Sequence, residues 1–450
     1  MTPDTAKAAC ERAEQDFIAR NPKSRAIYQQ ATESLPGGNT RTAVFYPPFP
    51  VSIARAEGAR LYDADGHEFV DLLGEFTAGL YGHSPQPIID TIHKTLQRGI
   101  SYGSQHEDEG KLAALVKLRF PSMDLLRFTN SGTEANLMAL AAATVHTGKK
   151  KVLVFDGAYH GGAFTFKNGQ SSPINAPYPY LIAKYNDEAS VSRLLSAPEN
   201  AGNVAAILVE PMIGSGGAIP AHRTFLHFLR KAATDAGALL IFDEVMTSRM
   251  HSGGGIQSQL PPELRPDLTA LGKYLGGGMS FGAFGGKRAI MEMFDPRKPT
   301  ALAHAGTFNN NVLTMAAGRC GLEQIFTPER AQELQATGER LLASLREASG
   351  NTLMKITGYG SILCFHFTRT AYEDIREPGD VYDHDKDLGA LFHLWLLERG
   401  FYIARRGFFA LSLVLTQEDL EAFVQAVREF VRIHAAHLGL ERTNGVTNGH

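Results

Sequence analysis

The stretch "GALLIFDEV" (residues 237–245) decides the fold class of this chain. Its apolar run ends in two acidic residues, which is typical of a strand buried on both faces of a parallel sheet. The stretches "KKVLVFDG" (150–157) and "VAAILVEP" (204–211) have the same character, and helical patterns lie beside them at 134–148 and 223–237. This alternation predicts an α/β fold, in which ligands bind beyond the carboxyl ends of the strands.

The flanking segments predict a second, smaller domain. Residues 51–73, "VSIARAEGARLYDADGHEFVDLL", resemble an antiparallel meander that turns at "DADG". Beyond residue 325 come a long polar helix, short strands and a final helix. We expect a small-domain segment at 1–75, a large domain at 76–325, a small α+β domain at 326–440 and a disordered tail at 441–450.

Composition restricts the classes of partner. The 450 residues carry a formal net charge of -3, which argues against broad binding of nucleic acid or anionic membranes. The three cysteines (Cys10, Cys320 and Cys364) are far apart and show no CxxC spacing, so neither a disulfide framework nor a metal site is predicted. We expect a cytoplasmic protein, because no apolar signal core or membrane-spanning run is visible.

Two motifs offer groups for an anionic, planar ligand. In "FTNSGTEANLMAL" (128–140), Ser131, Gly132 and Thr133 join a strand to a helix, whose N-terminal N–H groups suit a phosphate; a plain helix cap is the alternative. In "FDGAYHGG" (155–162), Tyr159 could stack on a planar ring or simply occupy a turn.

Two further motifs offer a carboxylate and an amine. "IFDEVMTSR" (241–249) ends a buried strand at Asp243, which suits a protonated ring nitrogen; an exposed loop carboxylate or a metal ligand are the alternatives. "LGKYLGGG" (271–278) places Lys273 before a loop that looks too glycine-rich for regular structure. A partly buried lysine can form a Schiff base; the alternative is an ordinary lysine whose charged end lies at the surface. Pyridoxal 5′-phosphate needs such a phosphate cradle, stacking aromatic, acid and lysine.

Together with "EP" (210–211) and "GTFNNN" (306–311), these motifs resemble those of class III aminotransferases, which are fold type I pyridoxal-phosphate enzymes. The resemblance spans roughly residues 30–435 and is nearest to the branch of glutamate-1-semialdehyde aminomutases and β-amino acid aminotransferases. It implies a mainly parallel sheet with helices on both faces in the large domain. It also implies a homodimer whose active sites lie at the subunit interface.

The resemblance implies a role for each matching residue. Lys273 matches the Schiff-base lysine and Asp243 the partner of the pyridine nitrogen. Tyr159 and Val245 match the residues on the two faces of the ring, and Ser131, Gly132 and Thr133 match the phosphate cradle. Thr307 matches a threonine that reaches the phosphate of the neighbouring subunit, and Glu210 matches a glutamate near the cofactor.

Two arginines are candidates for binding a substrate carboxylate, because a guanidinium group binds a carboxylate through two hydrogen bonds. Arg41 lies in "LPGGNTRTAVFYPPFP" (35–50), where the branch keeps its arginine, and nearby aromatic residues suit an apolar substituent. In "YIARRGFFALS" (402–412), Arg406 matches better than Arg405. For each arginine, an ion pair with a surface carboxylate is the alternative.

The resemblance implies an aminotransferase that moves an amino group from a β-amino acid, or a similar carboxylated amine, to an α-keto acid such as 2-oxoglutarate or pyruvate. Such an enzyme follows a ping-pong cycle through Lys273. An aminomutase or epimerase is the alternative, and a non-catalytic protein on the same fold is a third. The motif "GTFNNNVLT" departs from the aminomutase pattern and favours the aminotransferase.

Overall fold

The computed structural model describes residues 5–439. Its α-helices are α1 (Ala6–Arg20), α2 (Pro22–Thr32), α3 (Gln86–Leu96), α4 (Glu107–Arg119), α5 (Gly132–Thr147), α6 (Glu188–Ser196), α7 (Arg223–Asp235), α8 (Arg288–Met291), α9 (Val312–Cys320), α10 (Pro328–Ser349), α11 (Lys386–Glu398) and α12 (Gln417–Ile433). The predicted helices at 134–148 and 223–237 correspond to α5 and α7. The latter ends before Gly237, whose φ of 58° lies in the left-handed region that favours glycine.

The strands of the first half are β1 (Ile53–Glu57), β2 (Arg60–Asp63), β3 (Glu68–Asp71), β4 (Leu125–Thr129), β5 (Lys151–Phe155), β6 (Phe166–Lys167), β7 (Gln170–Ser171), β8 (Tyr180–Ala183) and β9 (Val204–Val209). Those of the second half are β10 (Met212–Ile213), β11 (Ile219–Pro220), β12 (Leu239–Asp243), β13 (Leu268–Gly272), β14 (Gly282–Gly286), β15 (Met354–Tyr359), β16 (Ile362–Phe367), β17 (Phe401–Tyr402) and β18 (Phe408–Ala410). The three stretches that predict buried strands therefore form β5, β9 and β12.

The central sheet has seven strands in the order β4-β14-β13-β12-β9-β5-β8. The pairs from β13 to β8 are parallel, as expected. Every residue of β9 is buried, so both faces of this strand are covered by other parts of the chain.

The expectation that the glycine-rich segment after Lys273 lacks regular structure is wrong in its second half. Residues 282–286 form β14, which pairs antiparallel with both β13 and β4. A Cβ atom at Gly282 would lie 2.1 Å from the Ser131 carbonyl oxygen, and one at Gly286 would lie 2.0 Å from that of Asp267. Glycine is therefore required for close approach to neighbouring backbone rather than for flexibility.

The terminal segments meet in a second sheet. The meander β1-β2-β3 is antiparallel, and β17 from the C-terminal part of the chain pairs parallel with β3. Strands β15, β16 and β18 form a separate antiparallel sheet. The domain boundaries at 75/76 and 325/326 stay predictions, and the predicted tail at 441–450 lies outside the described residues.

Features relevant to metals, redox chemistry and membranes are few in the described part of the chain. Cys10, Cys320 and Cys364 are buried and free. Between residues 5 and 439, no cluster of three or more histidine, cysteine or acidic side chains is arranged to hold a metal ion. Within the same range, no helix has the length and apolar character needed to cross a membrane.

Candidate active site

The predicted site motifs meet at one edge of the central sheet. Tyr159 follows β5, Glu210 follows β9, Asp243 ends β12 and Lys273 follows β13. These four strands are parallel, so their carboxyl ends lie on the same side. The fold thereby brings together groups that are more than 100 residues apart in the sequence.

A cleft of about 730 Å³ opens at this edge. Every predicted site residue except Thr307 lines it, namely Arg41, Ser131, Gly132, Thr133, Tyr159, Glu210, Asp243, Val245, Lys273 and Arg406. Thr307 is exposed on the segment before α9 and lies outside the cleft of its own chain. Its assignment to the neighbouring subunit's site stays a prediction.

Asp243 is the buried carboxylate of the cleft. Its Oδ2 atom accepts hydrogen bonds from Asn136 Nδ2 and His160 Nδ1, each at 2.8 Å, and its Oδ1 atom accepts one from the Val245 N–H at 2.9 Å. Asp243 has no lysine or arginine partner among residues 5–439. A buried carboxylate held only by hydrogen-bond donors offers a strong site for a cation in the cleft.

Asn136 and His160 carry no predicted role, although both lie inside predicted site motifs. Asn136 is fully buried on α5, and its Nδ2 atom also donates to the His160 carbonyl oxygen at 3.2 Å. The packing of α5 against β12 brings Asn136 to Asp243, and the loop after β5 brings His160 to it.

Glu210 is a second buried carboxylate. Its Oε1 atom accepts a hydrogen bond from the Tyr159 N–H at 3.0 Å, and its Oε2 atom accepts one from the Gly214 N–H at 2.9 Å. Burial raises the pKa of Glu210 to about 7. Glu210 therefore fixes the backbone of the loop that carries Tyr159, whose side chain is 44% exposed at the cleft.

The neighbouring Glu244 has a structural role and does not line the cleft. It is fully buried and accepts hydrogen bonds from Thr247 Oγ1 at 2.5 Å, the Ile256 N–H at 3.0 Å and the Gln257 N–H at 2.9 Å. Of the two adjacent acidic residues, Asp243 at the end of β12 lines the cleft and Glu244 does not. The alternative in which Asp243 is an exposed loop carboxylate is wrong, because the residue is buried.

Lys273 begins a short turn directly after β13, with a φ of 62° in the left-handed region. Such a backbone is strained for a residue other than glycine, and strain of this kind clusters at functional sites. Burial lowers the pKa of the Lys273 amine, while the negative charges of Glu75 and Asp243 act in the opposite direction. Within residues 5–439, its amine has neither a hydrogen bond nor an ion pair.

Ser131, Gly132 and Thr133 form the N-terminal end of α5. Ser131 caps this 16-residue helix by accepting a hydrogen bond from the Glu134 N–H at 3.2 Å. A Cβ atom at Gly132 would lie 2.8 Å from Val245 Cγ2, so the helix end lies directly beside the loop after β12. Because the first N–H groups of a helix have no partner within the helix, this end offers donors to an anion.

The two candidate arginines converge on one aromatic ring. The guanidinium carbon of Arg41 lies 5.9 Å from the centre of the Phe76 ring, and that of Arg406 lies 5.2 Å from it. Arg41 forms an ion pair with Glu75, whereas Arg406 has no ion-pair partner within the described residues. Arg405 is directed elsewhere, since its Nη2 atom lies 3.4 Å from Glu14 Oε1.

The aromatic residues near Arg41 in the sequence do not all face the cleft. Tyr46 packs against His393 with ring centres 5.0 Å apart, and Phe49 packs against Phe17 at 5.2 Å. Both are buried in the core. Besides Tyr159, the phenyl rings of Phe76 and Phe281 line the cleft, and neither residue carries a predicted role.

The residues present fit pyridoxal 5′-phosphate. The α5 terminus suits its phosphate, and the Asp243 carboxylate, which has no lysine or arginine partner among residues 5–439, suits its protonated nitrogen. The amine of Lys273 suits its aldehyde. Asn136 Oδ1 and His160 Nε2 are buried without a partner among residues 5–439, which shows that polar groups around the cleft are not fully satisfied by the chain itself.

Comparisons with known proteins agree with this fit. Residues 42–431 match the profile of the family described as aminotransferase class-III. The chain is 46% identical over 440 residues to the β-phenylalanine transaminase of Variovorax paradoxus, covering 97% of this chain and 99% of that protein. It is 34% identical over 430 residues to a glutamate-1-semialdehyde 2,1-aminomutase of Acetivibrio thermocellus, covering 91% and 97%.

Solved structures give the same result. The structure of the β-phenylalanine aminotransferase from Variovorax paradoxus superposes with a TM-score of 0.92 and covers 96% of this chain and 99% of that chain. An ω-transaminase from Sphaerobacter thermophilus, 34% identical, superposes with a TM-score of 0.83 and covers 92% and 99%. The chain therefore belongs to the class III aminotransferases and is a fold type I transaminase that depends on pyridoxal phosphate.

Proposed function

We propose that this transaminase moves the amino group of a β-amino acid, or a similar carboxylated amine, to an α-keto acid such as 2-oxoglutarate or pyruvate in a ping-pong cycle. The observation that carries the proposal is the convergence of Arg41 and Arg406 on the Phe76 ring, in the same cleft as Lys273. Two cationic groups beside an aromatic surface suit substrates that combine a carboxylate with an apolar substituent.

The comparison with the Variovorax paradoxus protein supports this donor class, because that relative is named for β-phenylalanine and aligns along nearly the whole chain. The chemistry of the cleft wall supports it as well. Phe76, Phe281, Met279 and Ala43 line the cleft and offer apolar contacts to a bulky substituent.

The proposed cofactor contacts follow the matching motifs. Ser131, Gly132 and Thr133 would hold the phosphate, and Asp243 would hold the protonated ring nitrogen. Tyr159 and Val245 would lie on opposite faces of the ring. Bound pyridoxal phosphate supplies an aldehyde that condenses with amines and a cationic ring that accepts the electron pair left on the substrate carbon.

The protein's own contribution is to place charges and move a proton. Lys273 Nζ has a lowered pKa, so it can take up the proton that leaves the amine-bearing carbon of the donor. Asn136 and His160 donate hydrogen bonds to Asp243 and thereby hold its carboxylate at the end of the cleft where the ring nitrogen would lie. Glu210 would hold the loop of Tyr159 in place.

We further propose a homodimer with active sites at the subunit interface, in which Thr307 reaches the phosphate of the neighbouring site. Large exposed apolar side chains support this arrangement, notably Phe308 at 60%, Ile100 at 64% and the cleft residue Ile174 at 75%. Sedimentation should give a dimer. Thr307→Val should weaken cofactor binding several-fold without changing the mass of the assembly, and a monomer with full activity would contradict the proposal.

A cytoplasmic location is proposed from the three free, buried cysteines, which suit a reducing compartment. Fractionation of the source cells, followed by detection of the protein with an antibody, tests it. Recovery in an oxidising extracytoplasmic fraction would contradict the proposal.

A panel of amine donors tests the proposed reaction. β-Amino acids, α-amino acids and amines without a carboxylate are each added to the holoenzyme, and conversion of the bound cofactor to its amine form is followed by absorbance. We expect the β-amino acids to convert it fastest. A preference for amines without a carboxylate would contradict the proposed role of the arginines.

A turnover assay without added keto acid distinguishes an aminomutase, for which the 34% identity to the Acetivibrio thermocellus protein provides support. A transaminase needs an α-keto acid to complete its cycle. Isomerisation of glutamate-1-semialdehyde in the absence of any keto acid would establish the aminomutase instead.

A further inference from the structure

We propose that Glu75 is a specificity-determining residue, whose carboxylate occupies Arg41 until a substrate carboxylate displaces it. Glu75 thereby sets how strongly the site prefers carboxylated amines over amines without a carboxylate. The inference rests on the proposed function, in which Arg41 binds the substrate carboxylate.

The backbone that presents Glu75 is unusual. Gly74, Glu75, Phe76 and Thr77 have φ values of 54°, 47°, 51° and 80°, so four successive residues lie in the left-handed region. Three of them are not glycine, and each such residue is strained. This conformation presents Glu75 and the cleft residue Phe76 to Arg41, which contacts both of them and lines the cleft itself.

The strained turn is held from both sides. Asp71 Oδ1 accepts hydrogen bonds from the N–H groups of Leu73 at 2.9 Å and Gly74 at 3.1 Å. Its Oδ2 atom lies 2.8 Å from His83 Nε2. A Cβ atom at Gly74 would lie 2.7 Å from the carbonyl oxygen of Ala410. Because these contacts lie within the chain itself, the backbone position of Glu75 is set independently of any ligand.

Arg41 and Arg406, the two arginines near the Phe76 ring, differ in whether a carboxylate neutralises their charge. Arg41 is neutralised by Glu75, and Arg406 has no ion pair among residues 5–439. Without Glu75, two uncompensated guanidinium groups would share one ring. Glu75 therefore takes the position on Arg41 that a substrate carboxylate would take.

The ion pair can be displaced. The side chains of Arg41 and Glu75 are each 51% exposed, and an exposed ion pair changes an equilibrium by a factor of about five at most. A substrate carboxylate can therefore replace Glu75 at a small cost in affinity. An amine without a carboxylate leaves the pair intact and meets no such cost, so Glu75 reduces the discrimination between the two classes of donor.

The test measures binding to the holoenzyme by calorimetry with two probes that carry no amine. The probes are 3-phenylpropanoate, which bears a carboxylate, and 3-phenylpropanamide, which is neutral. Glu75→Gln should tighten binding of the acid about three- to fivefold and leave the affinity for the amide unchanged. Glu57→Gln is the matched control, because Glu57 is exposed and pairs at 3.3 Å with Arg55, an arginine that does not line the cleft.

A double-mutant cycle identifies the cause. Arg41→Gln should weaken binding of the acid about tenfold or more. In the Arg41→Gln protein, adding Glu75→Gln should change the affinity for the acid by less than about 1.5-fold. If Glu75→Gln tightens the acid equally with and without Arg41, Glu75 acts by simple charge repulsion and the proposal is overturned. Melting temperatures of the variants confirm that each one is folded.

Steady-state turnover gives an independent readout. The ratio of kcat/KM for 3-amino-3-phenylpropanoate to that for 1-phenylethylamine should rise about three- to fivefold in Glu75→Gln. If Arg41→Gln weakens the acid while Glu75→Gln changes neither affinity nor this ratio, the Glu75 inference alone fails. If Arg41→Gln leaves the acid unaffected, the carboxylate role of Arg41 in the proposed function fails, and the inference fails with it.

Discussion

The imidazole of His160 orients the carboxylate of Asp243: Nδ1 lies 2.8 Å from Oδ2, and both side chains are buried. A buried hydrogen bond to a charged group contributes about 1.5–3 kcal/mol. We therefore expect His160→Phe to weaken binding of pyridoxal phosphate about tenfold or more. The dissociation constant is measured from the absorbance of the bound cofactor.

The Asn variant of the same residue separates this contact from packing. His160→Asn keeps an N–H donor near the position of Nδ1, so it should restore part of the lost affinity. His146→Phe, an exposed histidine in the last turn of α5, is the control and should bind the cofactor normally. Equal affinities in His160→Phe and the unchanged protein would show that Asp243 needs no help from His160.

The close approach of Gly132 to Val245 leads to a second prediction. An added methyl group at Gly132 would meet Val245 Cγ2 at 2.8 Å and Cγ1 at 3.1 Å, so the first turn of α5 or the Val245 side chain must move. Gly132→Ala should therefore raise the dissociation constant of pyridoxal phosphate about tenfold, and Val245→Ala in the same chain should recover part of the loss.

Gly110 provides the control for this substitution. It lies inside α4, and a Cβ atom there would have no neighbour within 4 Å. Gly110→Ala should leave cofactor binding unchanged and stabilise the protein by about 0.5–1 kcal/mol, because alanine favours helix more than glycine does. Normal cofactor affinity in Gly132→Ala would contradict the proposed phosphate site.

Removing the amine of Lys273 should abolish turnover. Lys273→Ala should lose at least about 10³-fold in kcat, since both covalent capture of the cofactor and proton transfer depend on this amine. Reduction with borohydride should attach the cofactor to the unchanged protein and not to the variant. Lys298→Ala, which removes an exposed lysine paired with Glu292 at 2.9 Å, should retain full activity.

The lowered pKa of Lys273 predicts a pH dependence. The unprotonated amine is the nucleophile, so the cofactor-free protein should recombine with pyridoxal phosphate with a rate that rises with pH. The half-point should lie below the ordinary lysine value of 10.5, chiefly because burial disfavours the charged amine.

Neighbouring charges should shift this half-point in opposite directions. The negative charge of Glu75 raises the pKa of Lys273, so Glu75→Gln should lower the half-point further. The positive charge of Arg41 lowers the same pKa, so Arg41→Gln should raise the half-point. Stopped-flow absorbance at a series of pH values measures both shifts. A half-point at or above 10.5 in the unchanged protein would contradict the prediction.

Much of the fold can be predicted from the sequence because its signals are local. Each pattern lies within one short, continuous stretch of sequence. This holds for the apolar runs that form β5, β9 and β12 and for the helical patterns of α5 and α7. Strand β14 could not be predicted in this way. Its glycines are unfavourable for an isolated strand and are required only because Ser131 and Asp267, distant in sequence, lie against them.

The candidate site shows the same division. Lys273 and Asp243 can be identified because each is a charged residue at the end of a strongly apolar strand pattern. Burial of the strand does not explain a charge at that position, so a functional role is indicated. The contacts of Asp243 with Asn136 and His160 span 107 and 83 residues, and the pairing of Arg41 with Glu75 spans 34. These contacts depend on how separate elements pack, which local patterning does not encode.

The two ends of the cleft differ in how freely their residues can be exchanged. On the cofactor side, the spacing between the helix cap at Ser131 and the amine-bearing turn after β13 is set by main chain, since Gly282 leaves no room for any side chain there. On the substrate side, Arg41, Glu75 and Arg406 all extend from connecting segments rather than strands. New donor specificities can therefore arise by exchanging loop residues on the substrate side. The geometry needed for amino transfer is retained meanwhile, because the backbone at Gly282 has no room for an added methyl group.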